Sequence, residues 1–331
     1  MKPEEFLADL IRKPEVLAAL AASLRKGNPW RHLRPLPERL VLLGMGSSAY
    51  AAGVAARRMR AQGLLAVAEL ASSDLLPRWG SATLAVAISA TGGSRETLDA
   101  LGRLDDGATV AALTNTPGSP ITRLAASTVP MAAEPELGGV ACRTFQHTLV
   151  MLLALEDHLL GRSGERLVGT VEKAAEATAH LLATEADWRP AVAELVLGPA
   201  GTHVAAPAHR LSSAQQSALM LREGPRRAAV ACESGDWAHV DVYLTKNTDY
   251  RLLSYAGSAW DEGILEWTLP RRTTVVSVGG ELEGARYVLR YPHDDEDDVR
   301  LLTETLVAEL VAARAWIAAE AEAAAASMTG R

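Results

Sequence analysis

The chain has 331 residues and a formal net charge of −7, from 33 Lys and Arg against 40 Asp and Glu, which argues against nucleic acid or an anionic membrane as the main partner. Apolar residues make up 48% but aromatics only 5%, so the core must be built from Ala, Val and Leu, in closely packed helices and short buried strands. Two cysteines, Cys142 and Cys232, exclude a disulfide framework or a cysteine zinc site and point to a reduced, cytoplasmic compartment, while no run approaches the roughly 18 apolar residues of a membrane span.

Residues 3–27 space their apolar positions helically and are interrupted at Pro14, which predicts two short helices in an N-terminal segment, 1–34. A strand at 40–43 is stopped by Gly44-Met45-Gly46. An Ala-rich helix at 48–62 follows, then strands at 65–69 and 83–89, a helix after Ser94, and strands at 109–114 and 127–131. Such alternation predicts an α/β fold with a doubly wound parallel sheet in three layers. Long helices at 144–160 and 167–184 complete a first domain, 35–184, and a linker is expected at 185–190. The pattern then restarts: the run from Leu195 through Gly198 to Thr202 echoes that from Val41 through Gly44 to Ser48, 154 residues on. A strand at 240–245 echoes the one ending at Ser89, 273–278 echoes 110–114, and 287–291 echoes the strand near Ser127. A repeat of this length is a duplicated domain, here 191–331. A final helix is expected at 297–325, with a frayed tail over 318–331.

Two loops suit a ligand. Gly44-Met45-Gly46-Ser47-Ser48-Ala49 fits a relaxed dinucleotide fingerprint with Glu69 about 20 residues on, so an NAD(P)-dependent dehydrogenase is one reading. A tight strand-to-helix turn is another. The loop Ser89-Ala90-Thr91-Gly92-Gly93-Ser94 sets three hydroxyls around two glycines at a helix N-terminus, which favours an anion held by neutral donors. It has no lysine and no Walker spacing, so a phosphomonoester fits better than a nucleoside triphosphate. N-capping accounts for one of its hydroxyls and leaves the others for a ligand.

The segments GMGSSAYAA, ISATGGSRETLDAL, LTNTPGSPITRLA and the stretch from Glu134 to Phe145 resemble the sugar isomerase (SIS) domain. The chain is similar, over about 35–315, to the tandem isomerase half of glucosamine-6-phosphate synthase and to stand-alone phosphosugar isomerases and deaminases. In the second half the helix from Ala218 to Glu223 and the stretch from Glu233 to His239 resemble two further family motifs, with His239 16 positions after Glu223.

This resemblance implies that Ser48, Ser89, Thr91 and Ser94 hold a sugar phosphate, that Ser47 takes a sugar hydroxyl, and that Val140 and Cys142 line the sugar chain. It implies that Glu223 shuttles a proton between C1 and C2 of the open-chain sugar and that His239 opens the ring, reaching the site of a neighbouring subunit in a homodimer. No cofactor or metal is expected, since the substrate carbonyl acidifies the hydrogen to be moved. Glu223 has a plainer reading as a helix-end acid paired with Arg226 or Arg227. Cys142 as a nucleophile lacks a neighbouring base, and His32, His147, His158 and His203 have no motif behind them. The chain departs from the family pattern at Met220, Gln216, Val240 and Asp241. Of its five lysines none follows Lys246, so a Schiff-base tail is not expected, and the start Met1-Lys2 brings no N-terminal glutaminase cysteine. A sugar-phosphate-binding protein without catalysis is the alternative from another functional class.

Overall fold

In the computed structural model, which describes residues 1–329, the chain forms two five-stranded parallel sheets. The first takes β1 (Arg39–Gly44), β2 (Leu65–Leu70), β3 (Thr83–Ile88), β4 (Thr109–Thr114) and β5 (Ser127–Pro130) in the order β2-β1-β3-β4-β5. The second takes β6 (Thr202–Ala206), β7 (Ala229–Glu233), β8 (Arg251–Tyr255), β9 (Thr274–Val278) and β10 (Tyr287–Leu289) in the order β10-β9-β8-β6-β7. Read from its other edge, the second order repeats the first, so the duplication is present in topology. This is the flavodoxin-like order, and it differs from the 3-2-1-4-5-6 order of dinucleotide-binding domains, which removes support for the dehydrogenase reading. β1 and β3 are buried along nearly their whole length, as strands covered on both faces must be.

The helices fill the connections. α1 (Pro3–Ile11) and α2 (Lys13–Leu24) precede β1, with Pro14 in the first turn of α2, where its missing N–H costs nothing. α3 (Ser47–Ala61) follows β1, α4 (Arg95–Gly102) follows β3, and α5 (Pro120–Arg123) follows β4. α6 (Arg143–Leu159) and α7 (Glu165–Ala183) come next.

The expected linker is a helix, α8 (Glu185–Val196), in spite of Pro190. Trp188, Val192 and Val196 recur every four residues and are all buried, and the Trp188 indole donates to the Leu181 carbonyl at 3.1 Å. That burial outweighs the one backbone bond the proline removes. The repeat also falls in a different register. Leu195 and Val196 close α8, the segment around Gly198 is a turn, and the counterpart of β1 starts only at Thr202. After α9 (Leu211–Glu223), β7 is a strand that the apolar pattern does not single out, since Val230 faces out and Ala231 is only partly covered. The strand expected at 240–245 is instead the short helix α10 (Trp237–Val240) followed by a 3₁₀ turn, Asp241–Thr245. Asp241, Val242 and Thr245 are buried there, the last two three residues apart, while Val240, Tyr243 and Leu244 are exposed. The true partner of β3 is β8, which leads into α11 (Asp261–Thr268). The last helix divides at Glu304 into α12 (Asp297–Thr303) and α13 (Thr305–Thr329). The tail is helical through Thr329; the expected fraying of Gly330 and Arg331 lies outside the described residues.

The compact units do not follow chain order. One contains residues 15–136 and 141–172 with the first sheet; the other contains residues 1–14, 137–140 and those from Lys173 onward with the second. Within the latter, α1 packs on α13: the Phe6 and Trp316 rings lie 6.4 Å apart, and Lys13 pairs with Glu309 at 2.5 Å with both side chains buried. Segment 137–140 lies on α1 so closely that a Cβ on Gly138 would sit 2.4 Å from the Phe6 backbone. Among the described residues no helix is long and apolar enough to cross a membrane.

Trp188→Ala is expected to lower stability by about 3–5 kcal/mol, read by urea denaturation followed through circular dichroism. A loss below about 1 kcal/mol would mean that α8 is held by something other than its buried face.

Candidate functional site

β1 and β3 pair in parallel with Leu43 opposite Ala87, so the loops that leave their carboxyl ends emerge side by side at the point where the chain reverses direction across the sheet. Ligands of open α/β sheets bind at such a switch point. The first loop turns at Gly46, whose φ of +51° suits glycine. Gly44 is required for another reason: a Cβ there would stand 2.8 Å from Ser48 Cβ in the first turn of α3. Ser47 and Ser48 are half-buried, and neither hydroxyl has a hydrogen-bond partner among the described residues.

In the second loop the local geometry uses more than one hydroxyl. Gly92 N–H donates to Ser89 Oγ at 3.1 Å, Gly93 N–H to Thr91 Oγ1 at 3.4 Å, and Thr97 N–H to Ser94 Oγ at 3.3 Å. The expectation that capping would occupy a single hydroxyl is therefore corrected: all three accept a local N–H. Ser89 and Thr91 keep their O–H groups to donate, whereas Ser94 gives its own to Glu96 at 2.9 Å. The Glu96 carboxyl is held below its usual range by its own backbone N–H and then by Ser94. Gly92, at φ +65°, could carry no side chain, because a Cβ would meet Ser119 Oγ at 1.9 Å.

Glu136 organises the loop before α6. Its carboxylate accepts the N–H groups of Cys142, Arg143 and Thr144 at 2.8, 2.6 and 3.1 Å and the Thr144 hydroxyl at 2.7 Å, a charged cap on the helix N-terminus. The Cys142 thiol is buried and its N–H is taken by this cap. Val140 is also buried but belongs to the segment that packs with α1 in the other unit.

The second sheet has closed the equivalent corner. The Asp261 carboxylate accepts Gly257 N–H at 2.8 Å and Ser258 N–H at 3.1 Å in the loop after β8. In the loop after β6, Arg210 is fully buried and paired with Glu304. Backbone donors that could greet a ligand are filled by the chain's own carboxylate.

Glu223 ends α9, half-buried, and its carboxylate has no hydrogen bond or ion pair among the described residues. The helix-end pairing does not form: Arg226 points to solvent, and Arg227 donates to the carbonyls of Leu197 and Gly198. Burial raises the Glu223 pKa above the usual glutamate value, opposed by the neighbouring charge of Arg222. Gln216 and Met220 are fully buried on the inner face of α9, where the Gln216 amide contacts the Met220 sulfur at 3.6 Å. His239 lies on α10, exposed, its N–H donating to the Asp236 carbonyl.

The other candidates are structural. Burial pushes the Cys232 thiol up to about 12, aided by Asp241, Asp236 and Glu233, so it is no nucleophile at neutral pH. His147 is buried with Nδ1 2.9 Å from the Met131 carbonyl. His158 lies 3.4 Å from the Leu33 carbonyl. Among the described residues no group of His, Cys, Asp and Glu is placed to hold a metal ion. One constellation was missed: His203 Nδ1 and the Tyr250 hydroxyl both meet Asp241 Oδ2, at 3.0 and 2.8 Å. Its only sequence signal is the appearance of Trp237 and Tyr250 in a chain poor in aromatic residues.

The five serine and threonine candidates thus gather on two neighbouring loops of one unit, and Glu223 and His239 belong to the other. Residues 36–156 match the SIS domain family. A curated relative, glutamine–fructose-6-phosphate aminotransferase [isomerizing] of Aeropyrum pernix, is 30% identical over 223 residues, covering 63% of this chain and 36% of that protein, so the match spans about a third of the relative's length. The C-terminal domain of glucosamine-fructose-6-phosphate aminotransferase from Francisella tularensis shares the fold at TM-score 0.80 and 16% identity, over 95% of each chain. Tagatose-6-phosphate ketose/aldose isomerase from Escherichia coli does so at 0.78 and 15%, over 95% of this chain and 92% of that one. Glucosamine-6-phosphate deaminase from Thermotoga maritima follows at 0.72 and 18%, over 95% and 94%.

A carboxyl whose pKa rises on folding stabilises the native state when protonated, and that contribution is lost as the pH climbs past the ordinary glutamate value. Glu223→Gln, neutral throughout, is expected to melt above the wild type at about pH 7, the gap closing towards about pH 4. A gap that does not change with pH would show that Glu223 is not desolvated.

Proposed function

With residues 36–156 a SIS domain, we propose that the chain is a phosphosugar isomerase or aminosugar-phosphate deaminase acting on a hexose or hexosamine 6-phosphate. One observation carries this: a half-buried carboxylate, Glu223, that has no hydrogen bond or ion pair among the described residues and whose pKa burial raises against the charge of Arg222. A general base must be free to take a proton and must hold it well enough to return it. Two fold relatives are named for the isomerisation or deamination of hexose 6-phosphates.

In this proposal Ser48, Ser89, Thr91 and Ser94, the last released from Glu96, donate hydroxyl hydrogens to the phosphate at the positive N-terminal ends of α3 and α4. Ser47 takes a sugar hydroxyl, and Val140 and Cys142 line the chain of the sugar. His239 moves a proton between the anomeric hydroxyl and the ring oxygen to release the open chain. For an aldose, Glu223 then removes the hydrogen at C2, the C1 carbonyl oxygen takes up the electron pair as an enediolate, the C2 hydroxyl proton passes to that oxygen, and Glu223 returns its proton at C1 to leave the C2 ketone. The carbonyl of the substrate supplies the acidity, so the chemistry asks nothing of a cofactor.

The protein is proposed to act as a homodimer. α10, the 3₁₀ turn and α11 leave Tyr243 69% and Trp260 64% exposed, with Val240, Leu244 and Trp267 beside them, an apolar surface that a second copy would cover while receiving His239.

Wild-type protein incubated in deuterated water with hexose and hexosamine 6-phosphates is expected to place deuterium at C1 or C2, and Glu223→Gln to slow that exchange about 10²–10⁴-fold. Binding of a sugar phosphate without exchange for any sugar would instead favour a binding protein without catalysis. Mixing inactive Glu223→Gln with inactive His239→Ala is expected to restore about a quarter of wild-type activity, because half of the reassorted dimers then hold one intact site of two. No recovery on mixing would rule out a site shared between subunits.

A further inference from the structure

His239 stands on a single turn of helix, which by itself has no rigidity, yet the residues two positions before and after it are fixed. Trp237 is fully buried and its indole N–H donates to the Tyr250 oxygen at 2.8 Å. The Tyr250 O–H donates in turn to Asp241 Oδ2 at 2.8 Å, and His203 Nδ1 lies 3.0 Å from the same oxygen. The His203 ring is stacked on that of Tyr250 with centroids 4.2 Å apart, and Trp237 meets Tyr250 edge-on at 6.2 Å. His203 belongs to β6 and Tyr250 immediately precedes β8, two strands paired in the middle of the second sheet. Every polar group in the chain of contacts has its role filled: the indole donates, the phenol accepts and donates, the carboxylate accepts twice.

We infer that Asp241, held by His203 and Tyr250, is the positioning residue that ties the helical turn carrying His239 to the second sheet. This rests on the assignment of His239 made above. The Asp241 carboxyl stays below its usual pKa because, although burial pushes it up, the bonds from His203 and Tyr250 outweigh that. His203 therefore acts through Asp241 and touches no substrate.

Two measurements on Asp241→Asn and Tyr250→Phe test this. By hydrogen–deuterium exchange, the amides of residues 238–241 are expected to open about tenfold faster in either variant, with β6 and β8 unchanged. In turnover, Asp241→Asn is expected to lower kcat on fructose 6-phosphate about tenfold, with KM within about twofold. Deuterium exchange into 5-deoxyfructose 6-phosphate, which lacks the hydroxyl needed to close a ring, should stay at the wild-type rate, because ring opening by His239 is bypassed. Unchanged amide exchange would overturn the inference, and so would equal losses on the ring-forming and open-chain sugars. If the wild type turns over neither sugar, the catalytic reading fails while the amide exchange still decides whether Asp241 holds the turn.

Discussion

The neighbouring placement of the loops after β1 and β3 depends on the parallel register between these two strands. With Leu43 opposite Ala87, the two strands end together and deliver Gly44 to Ser48 and Ser89 to Ser94 to one corner of the sheet. A slip of one residue would turn every side chain to the other face and separate the loops. Two missing Cβ atoms complete the arrangement, at Gly44, where α3 starts against the strand, and at Gly92, where the loop presses on Ser119. Backbone geometry comes first and hydroxyl chemistry is built on it.

The two copies show how one topology supports opposite outcomes. Both sheets have the same strand order, and in both the loop after the third strand of the copy gives backbone N–H groups to side-chain oxygens. In the first, the acceptors are the hydroxyls of Ser89 and Thr91, which keep their own O–H groups to donate. In the second, Asp261 occupies them and a buried Arg210–Glu304 pair neutralises the neighbouring loop. A buried ion pair adds little net stability, so this corner is better understood as a closed site than as a strengthened one.

Much of this could be read from residue order. The strands of the first sheet have continuous apolar runs between turn residues, and each was placed within two residues of its observed bounds. The two loops that carry Ser47, Ser48, Ser89, Thr91 and Ser94 were legible as strand-to-helix turns because glycine and hydroxyl residues interrupt the apolar runs there. The second copy was harder. β7 alternates small residues that no pattern distinguishes from a loop, and Val240 to Thr245 has strand-like composition but lies where Trp237 and Asp241 bind residues of other strands. Pro190 is a local helix breaker overruled by the burial of Trp188. The Asp241 network has no sequence signature because its members are 9 and 38 residues apart. Local energies are written in sequence; these outcomes are decided by tertiary partners.

The packing of α1 on α13 bears on how the protein is made. Lys13 pairs with Glu309, 296 residues later, and Phe6 rests against Trp316. A ribosome releases α1 well before α13, so Phe6 lacks its partner Trp316 while the intervening residues are made. The unit containing the second sheet cannot close its core until α13 has emerged, whereas the unit containing the first sheet has all its residues once Glu172 has emerged. The unit with the first sheet can therefore fold while the chain is still growing, and the unit with Glu223 and His239 must wait for α13.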